Sequence, residues 1–142
     1  MRLNKFLART GIGSRRICDQ YIKDGKIKIN GKIITDFSYL VKDDDYIQFK
    51  NKTINYVEED IYYILNKPIN YICSSKDELN RRLILELLPT NIRLFTVGRL
   101  DYKTTGLILL TNNGDIANKL LKPKNKISKK YYVESDGKLS LK

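Results

Sequence analysis

Asp101 sits where a carboxylate can do chemistry. It closes the string Gly98-Arg99-Leu100-Asp101, after the apolar run Leu94-Phe95-Thr96-Val97 and ahead of Thr104-Thr105-Gly106-Leu107. A carboxylate presented at the end of a strand can act as a nucleophile or a general base. The plainer use of an Asp in a Gly-flanked loop is to cap the turn or accept local amides, and these residues alone leave both uses open. The rest of the inventory narrows the choice. The chain has no His, which removes the commonest general base, the Ser-His and Cys-His nucleophile systems, and imidazole metal ligation. Cys18 and Cys73 stand alone without CxxC spacing and read as reduced, partly buried thiols. Any chemistry falls to carboxylates, Lys, Arg, Tyr and Ser/Thr.

The second set of chemistry-bearing residues is basic and lies at the N-terminus. The 142-residue chain carries a net charge of +11, a balance that favours a polyanionic partner. Placement says more than the total, because Lys accompanies Asn, Ile and Tyr throughout as a general compositional drift. Residues 1–32 hold nine Lys/Arg against Asp19 and Asp24. Residues 33–60 are net acidic by four charges, and from Ile61 onward the balance is again positive, by eight. Two basic stretches around an acidic one suit a footprint with two contact regions. Arg2, Lys5, Arg9, Ser14, Arg15, Arg16, Lys26, Lys28 and Lys32 are the candidate nucleic-acid contacts. Guanidinium groups near a helix N-terminus match phosphate in fork geometry and in charge; a solvated charged helix face is the alternative.

These residues need elements to hold them. Leu3, Phe6 and Leu7 recur at helical spacing, and Gly11-Ile12-Gly13 ends that helix. Ser14 is an N-cap for a second helix from Arg15 to Lys23, ended by Asp24-Gly25. Lys26 to Ile34 alternates Lys and Ile around Asn30-Gly31, the strongest short-range hairpin signal in the chain. A strand is expected at Tyr46–Phe49, and Asn51–Asp60 reads as a linker or edge segment. Beyond it, strands are expected at Ile61–Leu65, Tyr71–Ser74, Leu94–Val97, Gly106–Thr111 and Lys129–Val133, with short helices over Arg82–Leu88 and from Asp115 onward.

Both sets of residues resemble known modules. Arg2-Leu3-Asn4-Lys5-Phe6-Leu7-Ala8, Gly13-Ser14-Arg15-Arg16 and Gly25 to Lys32 together resemble the alpha-L RNA-binding module, named for a ribosomal protein. That resemblance implies binding to structured RNA by shape and backbone. Gly98 to Leu107 resembles the catalytic motif of pseudouridine synthases. Tyr63-Ile64-Leu65-Asn66-Lys67-Pro68 resembles the strand that opens their catalytic domain, Leu110 to Asn118 the strand-turn-helix after the motif, and Lys129-Lys130-Tyr131 the segment that supplies an active-site tyrosine. The chain is thereby similar to the ribosomal RNA pseudouridine synthases of the RsuA/RluB/RluE/RluF type, leaning to the RluB type.

The resemblance implies an α+β fold: a small helix-helix-hairpin RNA-binding domain over residues 1–58, then, over 59–142, the first part of a mixed, mainly antiparallel catalytic domain. It implies isomerisation of a uridine in ribosomal RNA, with the large ribosomal particle favoured. The N1–C1′ bond breaks, the base turns, and it rejoins through C5 with no atom added. No cofactor or metal is then expected. Asp101 would be the essential carboxylate at a flipped-out uridine, either attacking C1′ or removing a 2′ proton. Arg99 would contact phosphate, and Tyr131 would stack on the uracil. The family's domains run beyond the Tyr131 segment, and their later part supplies more strands and a basic partner for the Asp. The expectation is therefore a truncated catalytic domain, and the competing function is an RNA-binding protein without turnover. No apolar run approaches the roughly 20 residues that span a bilayer, and no signal peptide is visible. A monomeric, cytoplasmic protein without membrane contact completes the expectation.

Overall fold

The computed structural model describes residues 1–54, 56 and 59–137. The expected boundary between residues 58 and 59 falls at Glu58, outside the described residues.

Two hydrophobic clusters organise the chain. The first starts with α1 (Leu3–Arg9) and α2 (Arg15–Lys23). Leu3 and Leu7 of α1, and Cys18 and Ile22 of α2, are buried one helical turn apart, so each helix turns one narrow face inward. The Ser14 side chain accepts the Ile17 N–H at 3.3 Å and starts α2 as an N-cap. Strands β1 (Ile27–Ile29), β2 (Lys32–Ile33), β3 (Ile47–Phe49) and β4 (Lys52–Thr53) form an antiparallel sheet in the order β2-β1-β3-β4. Asn30 and Gly31 have φ of 51° and 78°, the two left-handed positions of a tight primed turn. Ile27, Ile29 and Ile47 close the core under the helices. The segment expected to be a linker or an edge thus opens with an edge strand, β4.

The second cluster lies under a three-stranded antiparallel sheet. Its strands are β5 (Tyr62–Lys67), β6 (Phe95–Val97) and β7 (Gly106–Thr111), in the order β5-β7-β6. Ile108 and Leu110 of the central strand pack on Ile84, while Leu107 on the opposite face is 75% exposed. In β5 the same alternation puts Tyr63, Leu65 and Lys67 on the inner face and Tyr62, Ile64 and Asn66 outside. Helix α3 (Gly114–Leu121) follows β7. It begins one residue before Asp115 because Asn113 is its cap, accepting from the Asp115 and Ile116 N–H groups at 2.9 and 3.1 Å.

Three expected elements differ. The Arg82–Leu88 helix is a short 3-10 turn at Ile84–Leu87, cut off by Pro89. Tyr71–Ser74 contributes an isolated bridge between Ile72 and Leu83, and no ladder. Lys129–Val133 is exposed and outside any strand. Its Tyr131-Tyr132-Val133 run finds no neighbour to pair with among the described residues, and a lone strand leaves its peptide groups to water.

Candidate active site and nucleic-acid interface

Asp101 lies at one end of the second sheet. Gly98 takes φ +83° directly after β6 and turns the chain out of the sheet. The Leu100 N–H then points to the Cys73 Sγ at 3.4 Å. The Thr104 N–H donates to the Asp101 carbonyl at 3.0 Å, closing the loop as a turn. Beneath it is Lys67, with no exposed surface. The strand alternation that makes Tyr63 and Leu65 core residues carries Lys67 inward as well. Its ammonium donates to the carbonyls of Thr104 at 2.8 Å, Asp101 at 3.0 Å and Pro68 at 3.1 Å, with Tyr102 at 3.4 Å. A buried ammonium is tolerated because peptide dipoles surround it. The backbone of Asp101 is thus clasped from below while its side chain is exposed, and no hydrogen bond among the described residues reaches its carboxyl oxygens. A fixed backbone with an open carboxylate is what a nucleophile or base requires.

The other expected catalytic residues are placed less closely. Arg99 is exposed, two residues before Asp101. Tyr131 is 65% exposed, in a stretch without regular structure. No hydrogen bond or ring contact among the described residues joins it to the Asp101 loop.

The basic residues divide into two groups. Arg2 precedes α1, Arg15 and Arg16 occupy the first turn of α2, Lys28 lies in β1 and Lys32 in β2. None of these five is in an ion pair among the described residues. Lys26 is paired with Asp24 at 2.7 Å and lies over the Tyr21 ring. Lys5 and Arg9 are engaged across the chain instead. Lys5 binds both oxygens of Asp115 at 2.6 and 2.8 Å, and Arg9 binds Asp60 at 2.6 Å while lying over the Tyr56 ring. Both therefore fasten α1 to the second unit. The Asp60 site is completed by Asn113, whose amide donates to it at 2.6 Å.

Proton affinities follow these contacts. The hydrogen bond from Lys5, and the charges of Lys5, Arg15 and Arg9, hold the Asp115 carboxyl below its ordinary range despite partial desolvation. Desolvation pushes Asp60 up, but hydrogen bonds from Arg9 and Asn113 and the Arg9 charge outweigh it, and the net direction is down. Burial pushes the Cys18 thiol up to about 11, as befits an inert core cysteine.

Comparison with known proteins bears on this arrangement. Residues 61–141 match the RNA pseudouridylate synthase family, and residues 1–47 match the S4 domain. The chain belongs to the RNA pseudouridylate synthase family. It is 40% identical over 138 residues to a Bacillus subtilis protein named ribosomal large subunit pseudouridine synthase B, covering 96% of this chain and 56% of that protein. It is 39% identical over 138 residues to the Escherichia coli dual-specificity RNA pseudouridine synthase RluF, covering 96% of this chain and 47% of the relative. An Aquifex aeolicus protein named as an RNA pseudouridine synthase is 37% identical over 145 residues, covering all of this chain and 58% of its own length. The chain thus spans about half the length of these curated relatives. The S4 domain followed by the synthase match places it in the RsuA/RluB/RluF-type branch, leaning to the RluB type. In this branch member, Lys67 and Cys73 are the parts of the Asp101 platform that reading the sequence for function passed over. Lys67 had a signal: a lysine at an inner-face position of a strand is either an error of register or a buried cation that holds something in place. Cys73 had none, because only the fold brings it under Leu100.

Proposed function

We propose that the chain serves the isomerisation of a uridine to pseudouridine in ribosomal RNA, with Asp101 as the essential carboxylate. The observation that carries this is the Asp101 platform: a family-matched loop whose backbone is held by Lys67 and whose carboxylate is open. The N1–C1′ bond of the target breaks and a C5–C1′ bond forms, the C5 proton leaving as N1 gains one. Asp101 either attacks C1′ or removes a 2′ proton; both need the nucleotide turned out of its helix. Arg99 contacts a phosphate beside the flipped nucleotide, and Tyr131 stacks on the uracil once RNA orders its segment. The S4 unit grips structured RNA through Arg2, Ser14, Arg15, Arg16, Lys26, Lys28 and Lys32. RNA of the large ribosomal particle is the favoured substrate, from the likeness to the Bacillus subtilis enzyme.

Asp101→Asn tests the reading. It should abolish product in a single-turnover assay on large-subunit ribosomal RNA while leaving RNA affinity within about twofold. Product at the wild-type rate would sink the assignment. A second reading, RNA binding without turnover, is favoured by the exposed Tyr131 and its position outside any strand. It predicts tight, salt-sensitive binding with no pseudouridine formed by the wild-type chain.

A further inference from the structure

A cleft of about 470 Å³ lies between the two units, away from Asp101. Its walls include Lys5, Arg9, Ser14 and Arg15 from the first unit and Arg93 and Gly114 from the second. Four of these side chains are cationic and none is acidic. Lys5 and Arg9 are neutralised by Asp115 and Asp60, whereas Arg15 and Arg93 are in no ion pair among the described residues. The cleft therefore keeps a net charge of about +2 after its own carboxylates are counted.

Two further features point to an anion. Arg15 and Arg16 occupy the first turn of α2, which holds no acidic residue. Cations at a helix N-terminus oppose the macrodipole, so the arrangement costs stability unless an anion enters between them. Arg15 Nη2 lies 3.6 Å from where a Cβ on Gly114 would stand. The guanidinium thus spans from one helix N-terminus to the start of α3.

We propose that this cleft seats a phosphodiester of the RNA backbone, clamped between Arg15 of the S4 unit and Arg93 of the synthase unit. The inference rests on the RNA-directed reading above and adds a contact that neither unit has alone. Its place in the sheet gives it a distinct job. The cleft reaches Asn112, just past the Thr111 end of β7, whereas Lys67 and the Asp101 loop are at the Gly106 end. Five strand steps separate those ends, about 17 Å. The seated phosphate belongs to RNA flanking the target, and it sets the distance between the helix gripped by the S4 unit and the nucleotide delivered to Asp101.

The test uses the full chain and a fluorescein-labelled hairpin of large-subunit ribosomal RNA, read by anisotropy from about 50 to about 300 mM KCl. Arg93 is decisive because it lies outside the S4 match. Arg93→Gln should lower the slope of log affinity against log salt by up to about 0.7 to 0.9, one phosphate's worth, and the Arg15→Gln, Arg93→Gln double variant by that full amount and no more, since both arginines hold the same phosphate. Arg93→Lys, which keeps the charge, should keep the slope. Wild-type affinity and slope in Arg93→Gln would overturn the cleft and leave the proposed function standing. Equal loss in the Gln and Lys variants would also overturn it, since charge would not be the cause. Failure of the wild-type chain to bind the hairpin would remove the RNA-directed reading itself, and the cleft assignment with it.

Discussion

Replacing Lys67 by Met removes the charge that holds the Asp101 loop while keeping most of the side-chain volume. The wild-type ammonium has no exposed surface and faces four carbonyls between 2.8 and 3.4 Å. An ammonium has three protons, so three bonds are satisfied at a time. At about 1.5–3 kcal/mol for each hydrogen bond to a charged group, the set stabilises the fold by about 4–9 kcal/mol before other changes are counted. Two changes reduce the loss. Met avoids the several kcal/mol needed to strip water from an ammonium, and the loop lies at the surface, where freed carbonyls can turn to water. The balance is a loss of about 3 kcal/mol, or more than a hundredfold in the unfolding equilibrium. Urea denaturation followed by circular dichroism measures it. Hydrogen exchange at the Thr104 amide, which donates to the Asp101 carbonyl, locates it. Protection there should fall more than at the Leu110 amide of the central strand β7. A Lys67→Met variant within about 0.5 kcal/mol of wild type, with Thr104 protection unchanged, would refute the clasp.

Other perturbations separate the seam from the site. The Asp60 and Asp115 carboxyls are both held below their ordinary range. Their contribution is therefore fully present above the unfolded carboxylate pKa, about 3.9, and is lost as pH falls through the lower folded values. Acidification below about pH 4 should separate the two units before either core melts, seen as a rise in radius of gyration by solution scattering; a constant radius down to global unfolding would contradict this. Asn113→Ala should cost about 1–2 kcal/mol by loss of the α3 cap, measured by urea titration, and should also weaken the seam because Asn113 holds Asp60. An Asn113→Ser variant, which keeps a capping oxygen, should recover most of the stability and none of the Asp60 contact.

The seam changes how the S4 unit is understood. Lys5 and Arg9 share one strip of α1 and resemble, by their spacing, two more phosphate contacts. Asp60 precedes β5 and Asp115 opens α3, so their carboxylates reach α1 only after the second unit has folded. Charge on a helix face does not say whether it meets RNA or protein, because both partners are anionic. Of the cations that line the cleft, Arg15 and Arg93 are in no ion pair among the described residues and are the ones left there for an external anion.

The local elements of the first unit were legible because local rules govern them. Ser14 caps, Asn30-Gly31 turns, and the Leu and Ile spacing orients α1, α2 and β1. The Asp101 motif, too, is contiguous in the chain, and together with the flanking segments from Tyr63 to Tyr131 it pointed to the family. The failures share a different cause. Lys129–Val133 has strand-forming residues, but a strand exists only where a neighbour supplies its hydrogen bonds. Arg82–Leu88 has helical spacing, but Pro89 and the bridge between Ile72 and Leu83 allow a single tight turn.

What the amino-acid order determined by itself is the family and the two modules, and it put Asp101 forward as the candidate carboxylate. These depend on residue types at fixed separations along the chain. What only the tertiary structure decided is how Asp101 is held and where the free positive charge lies. Lys67 and Cys73 meet its loop from 34 and 27 residues away, and Arg93 meets Arg15 across the cleft between two separately cored units. Burial of an ammonium and cancellation of a charge depend on which atoms come within a few ångströms, and that is set by packing, not by spacing in the sequence.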